Sequence, residues 1–193
     1  MADIQNVLSV CLFALFVVMV LIRAMIMHKR DIRVIVFGQT DKSDFLLVPP
    51  VLAIAYSVLA STFGFPFWNV LIQPFWRSTA PGWVGLVLCI LSAVGVALTL
   101  ANFGNSFRVG IDENTPDKLV TRGMFAVSRN PIYISFLVFL TGLFLIHRNV
   151  VVALGIMLFA PAMHRQILRE EKFLRLHYGD KYEAYCKKVR RYI

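Results

Sequence analysis

Charge is scarce in this 193-residue chain. Only 16% of its residues are charged, against roughly 25% in soluble domains, while 58% are hydrophobic. That excludes intrinsic disorder, which needs the opposite balance, and argues against an ordinary soluble domain. Acid is scarcer than base, 11 residues against 20, for a net charge of +9. In so apolar a chain the excess points to Lys and Arg held on the cytosolic side of a membrane, not to a nucleic-acid surface. Cysteine is nearly absent. Cys11 and Cys89 lie in apolar runs and Cys186 in a charged tail, so no disulfide framework, zinc spacing or other metal site is expected. The chain also lacks a glycine-rich phosphate loop and a Ser-His-Asp arrangement.

Long apolar runs are what it has in abundance. A spanning helix needs about 20 mostly apolar residues. Runs at 5–27, 45–63, 83–103, 132–146 and 150–163 give five candidates, the last two short and separated only by His147, Arg148 and Asn149. They read as a tight helical hairpin. Ser92, Ala93, Gly95 and Ala97 on the third run would permit close helix packing. Basic residues alternate between connections. Lys29, Arg30, Arg33 and Lys42 follow the first run, Arg77 alone the second, and Arg108, Lys118, Arg122 and Arg129 the third. Arg148 alone follows the fourth, and nine Lys and Arg the fifth. Five crossings with the N-terminus outside and the C-terminus in the cytosol satisfy the positive-inside rule at every connection. The expected fold is all-α: an integral membrane bundle of five transmembrane helices with a cytosolic helical extension, in one structural domain. Residues 1–103 would supply three spans and residues 104–193 a core with the chemistry. Residues 65–82, with Phe67, Trp68, Phe75 and Trp76, are expected at the outer interface.

Titratable groups gather on the cytosolic side, in residues 104–130 and in the tail. Arg129-Asn130-Pro131-Ile132-Tyr133 sits at the mouth of the fourth span, with Pro131 at a favoured first-turn position. Unbonded N–H groups and a partial positive charge there suit a carboxylate, and Arg129 could add to it. The same residues also suit plain interfacial anchoring. The fifth helix, continued to His177, would be about 42 Å long and leave the membrane, with Gly179 as its cap and Pro161 as a possible kink. It carries Glu170-Glu171. Adjacent carboxylates on a helix cannot both face one ligand, so one should point inward and the other to an arginine or water. The third constellation is Asp117-Lys118-Leu119-Val120-Thr121-Arg122-Gly123, whose Leu-Val pair could cover an aromatic ring. The tail's residues 187–191 are expected on anionic headgroups.

Order and spacing carry more than any single motif. Leu119-Val120-x-x-Gly123-x-Phe125, then Arg129-Asn130-Pro131-x-Tyr133, then a hairpin, then Glu170-Glu171 and Tyr178-Gly179-x-x-Tyr182-x-x-Tyr185 resemble the isoprenylcysteine carboxyl methyltransferase family. Phospholipid N-methyltransferases are related to it. The resemblance covers about residues 100–193, with Gly104-Asn105-x-Phe107-Arg108 fitting the loop after the third span. It implies a membrane methyltransferase using S-adenosylmethionine. Carried over, the cofactor would contact Asp117, Lys118, Leu119, Val120, Phe125, Arg129, Asn130, Pro131, Ile132, Tyr133, Glu170 and Glu171. Asn130 stands where the family usually has His. Gln166 stands where it has an arginine that holds the substrate carboxylate, so Arg165, Gln166 and Arg169 are the candidates for that role.

A carboxylate acceptor is already ionised at neutral pH and needs orientation, not a base. An amine would need deprotonation, for which only Glu171 and His164 offer themselves. The expected substrate is a lipophilic, isoprenylcysteine-like carboxylate entering from the bilayer. Alternatives are a phospholipid amine or other small amphiphile, a reductase with a nicotinamide cofactor, and a non-enzymatic membrane protein. Membrane lipids are expected partners and nucleic acid is not. The expected location is a prokaryotic inner membrane.

Overall fold

The computed structural model describes residues 3–29, 42–103 and 119–193. Among the described residues the chain is helical, without strands. Its helices are α1 (Ile4–His28), α2 (Val48–Phe63), the short α3 (Asn69–Ile72), α4 (Ala80–Phe103), α5 (Pro131–His147), α6 (Val150–Tyr178) and α7 (Asp180–Lys188). Tight 3-10 turns occupy Lys42–Leu47 and Gly123–Ala126.

Local chemistry sets the boundaries. The Asp3 side chain accepts from the Gln5 N–H at 3.2 Å and starts α1. Pro49 and Pro50 fall in the first turn of α2, where a missing N–H costs nothing. Asn149 caps α6 by accepting from the Val152 N–H at 3.0 Å. Gly64 ends α2 at φ 74°, a backbone state that a side chain disfavours. Gly179 closes α6 at φ 50°, as expected, although the helix runs one residue past His177 to Tyr178, and Pro161 lies inside that helix.

Among the described residues four helical stretches are long and apolar enough to cross a membrane: Ile4–His28, Phe45–Phe63, Ala80–Phe103 and Val150–Tyr178. This is the make-up of an integral membrane protein. The 17 residues of α5 reach about 26 Å, short of a bilayer core of about 30 Å.

Hydrogen bonds gather five helix ends in one place. His147, at the end of α5, holds the Ser9 hydroxyl of α1 on Nε2 and the Ser61 hydroxyl of α2 on Nδ1, each at 2.8 Å. Asn149 donates to the Ser57 Oγ at 3.1 Å, and Gln5 donates to the Thr79 carbonyl, just before α4, at 3.1 Å. The starts of α1, α4 and α6 therefore meet the ends of α2 and α5, so consecutive long helices alternate in direction. The opposite end of the bundle holds the polar mouth described below.

The sequence pairs α5 with α6 as a hairpin, yet α5 lies chiefly against α4. Small residues are the reason. A Cβ on Gly142 would meet the Cys89 Sγ and the Gly85 carbonyl at 2.6 Å each. With no Cβ there, the backbones approach closely enough for the Ser92 Oγ to donate to the Ser135 carbonyl at 2.6 Å. Ser92 and Ala93 are buried in this pairing, whereas Ala97 faces a groove toward α1. Of the aromatics after α2, Phe75 and Trp76 pack on Phe144 of α5, at 6.1 and 5.7 Å, and Trp68 stays exposed.

Candidate functional site

The mouth of α5 is fastened from two sides. On one side, Phe125 in the 3-10 turn meets Phe103 at the end of α4 edge to face, with centroids 4.7 Å apart. Gly123 allows that turn, with φ at 63° and Asn102 filling the space a Cβ would need. On the other side, the Tyr185 hydroxyl of α7 donates to the Phe125 carbonyl at 2.6 Å. Asn130 precedes α5 without capping it through its side chain. Its amide instead donates to the Arg191 carbonyl at 3.1 Å. The first turn of α5 is thus left without a cap from Asn130.

The two adjacent carboxylates part as their positions on a helix require. Glu171 is buried, at 4% exposure. It accepts from Arg191 in a fork, Nε to Oε1 at 3.1 Å and Nη2 to Oε2 at 2.8 Å. Arg129 Nη2 lies 3.2 Å from the same Oε1. Burial is tolerable because two guanidinium groups surround the charge. Glu170 faces the other way. It accepts from the Tyr133 hydroxyl at 2.5 Å and from Gln166 Nε2 at 3.1 Å. Arg169 Nη1 in turn donates to Gln166 Oε1 at 3.2 Å. A continuous string therefore runs from Arg169 through Gln166 and Glu170 to Tyr133.

Arg129 is nine-tenths buried and also touches the Cys186 sulfur. Its Nε is buried with no acceptor among the described residues. Cys186 belongs with Tyr182 and Tyr185 to a small cluster that also takes Leu119 and Val189. Burial pushes the Tyr182 hydroxyl well above its ordinary range, and the nearby Glu171 charge adds to this. Burial also lifts Tyr185 to about 12, although Arg129 pulls the other way. Arg191 is held above its ordinary value, first by its hydrogen bond to Glu171.

Arg129, Asn130, Pro131, Tyr133, Gln166, Arg169, Glu170 and Glu171 thus surround one mouth. Ile132 lies partly buried in the first turn of α5, against the core. Phe125 is buried beneath the mouth, and Leu119 and Val120 are half-buried. Arg165 is on the exposed side of α6. Asp117, Lys118 and the segment with Gly104, Asn105, Phe107 and Arg108 lie outside the described residues. Among the described residues no group of His, Cys, Asp and Glu is arranged to hold a metal ion.

Arg191 escaped the sequence reading, which sent it to the lipid headgroups with its basic neighbours. The backbone leaves α7 at Val189 in an extended conformation and turns back onto α5, which carries Arg191 inward. Helical periodicity ends before this residue and so gives no hint of its direction. The only signal was the need of a buried Glu171 for more than one cation.

The family described as phospholipid methyltransferase matches residues 81–181, more than half of the chain. The protein belongs to the phospholipid methyltransferase family. Two rice proteins, from Oryza sativa subsp. indica and subsp. japonica, are each named a probable protein-S-isoprenylcysteine O-methyltransferase. Each is 33% identical over 111 residues, covering 55% of this chain and 58% of theirs. The chain therefore spans little more than half the length of these relatives. Both branches of the resemblance, to phospholipid and to isoprenylcysteine methyltransferases, are represented. The family match begins at the first turn of α4, about twenty residues before the stretch that the motifs cover. The matched segment contains both helices of the close α4–α5 pairing and the mouth residues from Arg129 to Glu171.

Proposed function

We propose that this member of the phospholipid methyltransferase family uses S-adenosylmethionine to methylate the carboxylate of a lipophilic, isoprenylcysteine-like substrate at the cytosolic face. The observation that carries the reading is the pairing of opposite chemistries at the α5 mouth. Arg129 Nε is a buried donor in want of an acceptor, and Glu170 is a carboxylate fixed by two donors. These fit the two ends of an amino acid, so the residues suit the cofactor. Arg129 and the first turn of α5, from Asn130 through Pro131 and Ile132 to Tyr133, would take its carboxylate. Glu170 would take its amino group or ribose. Leu119, Val120 and Phe125 would border its ring, and Asp117 and Lys118 belong to the same stretch of chain. Glu171 would act from behind by fixing Arg129.

When bound, the cofactor supplies a methyl group on an electrophilic sulfonium. The protein's part is then alignment and exclusion of water. The acceptor carboxylate needs a cation that orients it, and Arg169 suits this better than Arg165. Gln166 already ties Arg169 to Glu170, so substrate and cofactor groups would share one hydrogen-bonded string. The substrate tail would enter from the bilayer. In this reading α5 is a fifth, shortened crossing, with the N-terminus outside, the C-terminus in the cytosol and basic residues on the inner side. A prokaryotic inner membrane is part of the proposal, although the two similar proteins are from rice and lend it no support.

An amine acceptor is the second reading, and the family's description favours it. The fate of Glu171 speaks against it, since a carboxylate clasped by two arginines is a poor base. The test is methyl transfer by protein reconstituted in lipid vesicles, from isotopically labelled S-adenosylmethionine. S-farnesylcysteine and phosphatidylethanolamine are offered separately. A base-labile methyl ester on the farnesylcysteine alone supports the proposal. Label on the phosphatidylethanolamine nitrogen alone transfers the site to the amine reading.

A further inference from the structure

We propose that residues 189–192 form a strap that closes the α5 mouth, and that Arg191 is a positioning residue of the cofactor site. The proposal rests on the cofactor reading above. The strap is fastened at every residue beyond Val189. The Arg190 carbonyl accepts from the Arg129 N–H at 3.1 Å. The Arg191 carbonyl accepts from the Ser128 hydroxyl at 3.2 Å and from the Asn130 amide at 3.1 Å. The Arg191 guanidinium forks onto Glu171, and the Tyr192 hydroxyl meets His164 Nδ1 at 2.5 Å. Val189 anchors the near end among Tyr182 and Tyr185. The strap therefore bridges the α5 mouth and the cytosolic part of α6, the two elements that carry the site.

The charge arithmetic gives Arg191 a role beyond holding the fold. Glu171 carries one negative charge, and Arg129 and Arg191 carry one positive charge each, so the cluster is left with a net +1. With Arg191 satisfying both oxygens of Glu171, Arg129 is not wholly spent on that carboxylate. It keeps a buried donor for an anionic ligand group. Without Arg191, the Arg129–Glu171 pair would be neutral and self-satisfied, and the mouth would lose its attraction for a carboxylate.

This makes a prediction with a sign. S-adenosylhomocysteine binding is measured by calorimetry on the detergent-purified full chain. Arg191→Met should weaken binding at least tenfold. Arg191→Lys, which keeps the charge, should stay within a few-fold of wild type. Adding Glu171→Gln to Arg191→Met returns the cluster to +1 and should restore most of the affinity. A merely structural arginine predicts the reverse, since the double variant loses still more contacts. Wild-type affinity in Arg191→Met overturns the proposal alone, as does a double variant that binds no better than the single. If Arg191→Met fails to fold, Arg191→Lys and the double variant decide, and weak binding by either overturns the proposal. Failure of wild type to bind overturns the cofactor reading and this proposal with it.

Discussion

Replacing Glu171 with glutamine removes the carboxylate that lies between two guanidinium groups, and its cost can be worked from their burial. Arg129 has 10% of its side chain exposed and Arg191 has 33%. Breaking a buried ion pair by removing one partner costs about 3–5 kcal/mol, because the remaining charge stays buried and uncompensated. Arg129 meets that condition. Arg191 can turn to water, so its share is discounted toward the ~0.5 kcal/mol typical of exposed pairs. The expected loss is therefore about 3 kcal/mol, nearly all from Arg129. In a chain of this size that corresponds to a drop of roughly 6–12 °C in Tm. Thermal unfolding in detergent, followed by tryptophan fluorescence, reads it directly. Arg191→Met should cost less than Arg129→Met, and the losses from Arg129→Met and Glu171→Gln should be far from additive. A fall of under 1 °C for Glu171→Gln would show that water reaches the cluster and that the burial argument is wrong.

Alkali should loosen the packing of α7. Tyr182 and Tyr185 are raised above their ordinary 10 in the folded protein, so their contribution is complete below pH 10 and is lost as pH rises through their folded values, near 12 for Tyr185. Absorbance at 295 nm should show Tyr182 and Tyr185 ionising above pH 10, and a Tyr185→Phe variant should remove one of these steps. At the α4–α5 contact, Gly142→Val should cost about 1–3 kcal/mol or prevent folding, because its side chain meets Cys89 and the Gly85 carbonyl. Gly64→Ala, with open space around it, should cost only about 1 kcal/mol for its positive φ; equal losses at both sites in thermal unfolding would contradict the close approach. His147→Leu removes one hydrogen bond each from Ser9 and Ser61, which keep the Asn6 and Val58 carbonyls as acceptors, and should cost about 1–3 kcal/mol for the two bonds by the same measurement; no effect would mean that the bonds to the ring add nothing.

Much of the molecule could be read from the chain before its fold was known, and the reasons are local. Pro131 marks a helix start because a first-turn N–H needs no partner. Gly179 marks the end of α6 because it adopts a positive φ. The opposed directions of Glu170 and Glu171 follow from helical geometry alone. What the chain did not disclose is set by contacts distant in sequence. The small residues of α4 announce a close approach but do not say to which helix, so the chain reads as a hairpin of α5 and α6 without showing that α5 lies mainly against α4. The inward turn of Arg191 depends on Ser128, Asn130 and Glu171, which lie 20 to 63 residues away. The length of α5 leaves its crossing of the bilayer a proposal, because 17 residues sit at the lower limit.

Binding of S-adenosylhomocysteine to detergent-purified protein, wild type beside Glu170→Ala, tests the central claim most directly. Glu170 is half-buried and held by Tyr133 and Gln166, outside the Glu171 ion cluster, so its loss should leave the fold largely intact. The account predicts saturable binding by wild type and binding at least tenfold weaker by the variant, with little change in Tm. Folded wild-type protein that shows no binding, or a Glu170→Ala variant that binds as tightly as wild type, would contradict it.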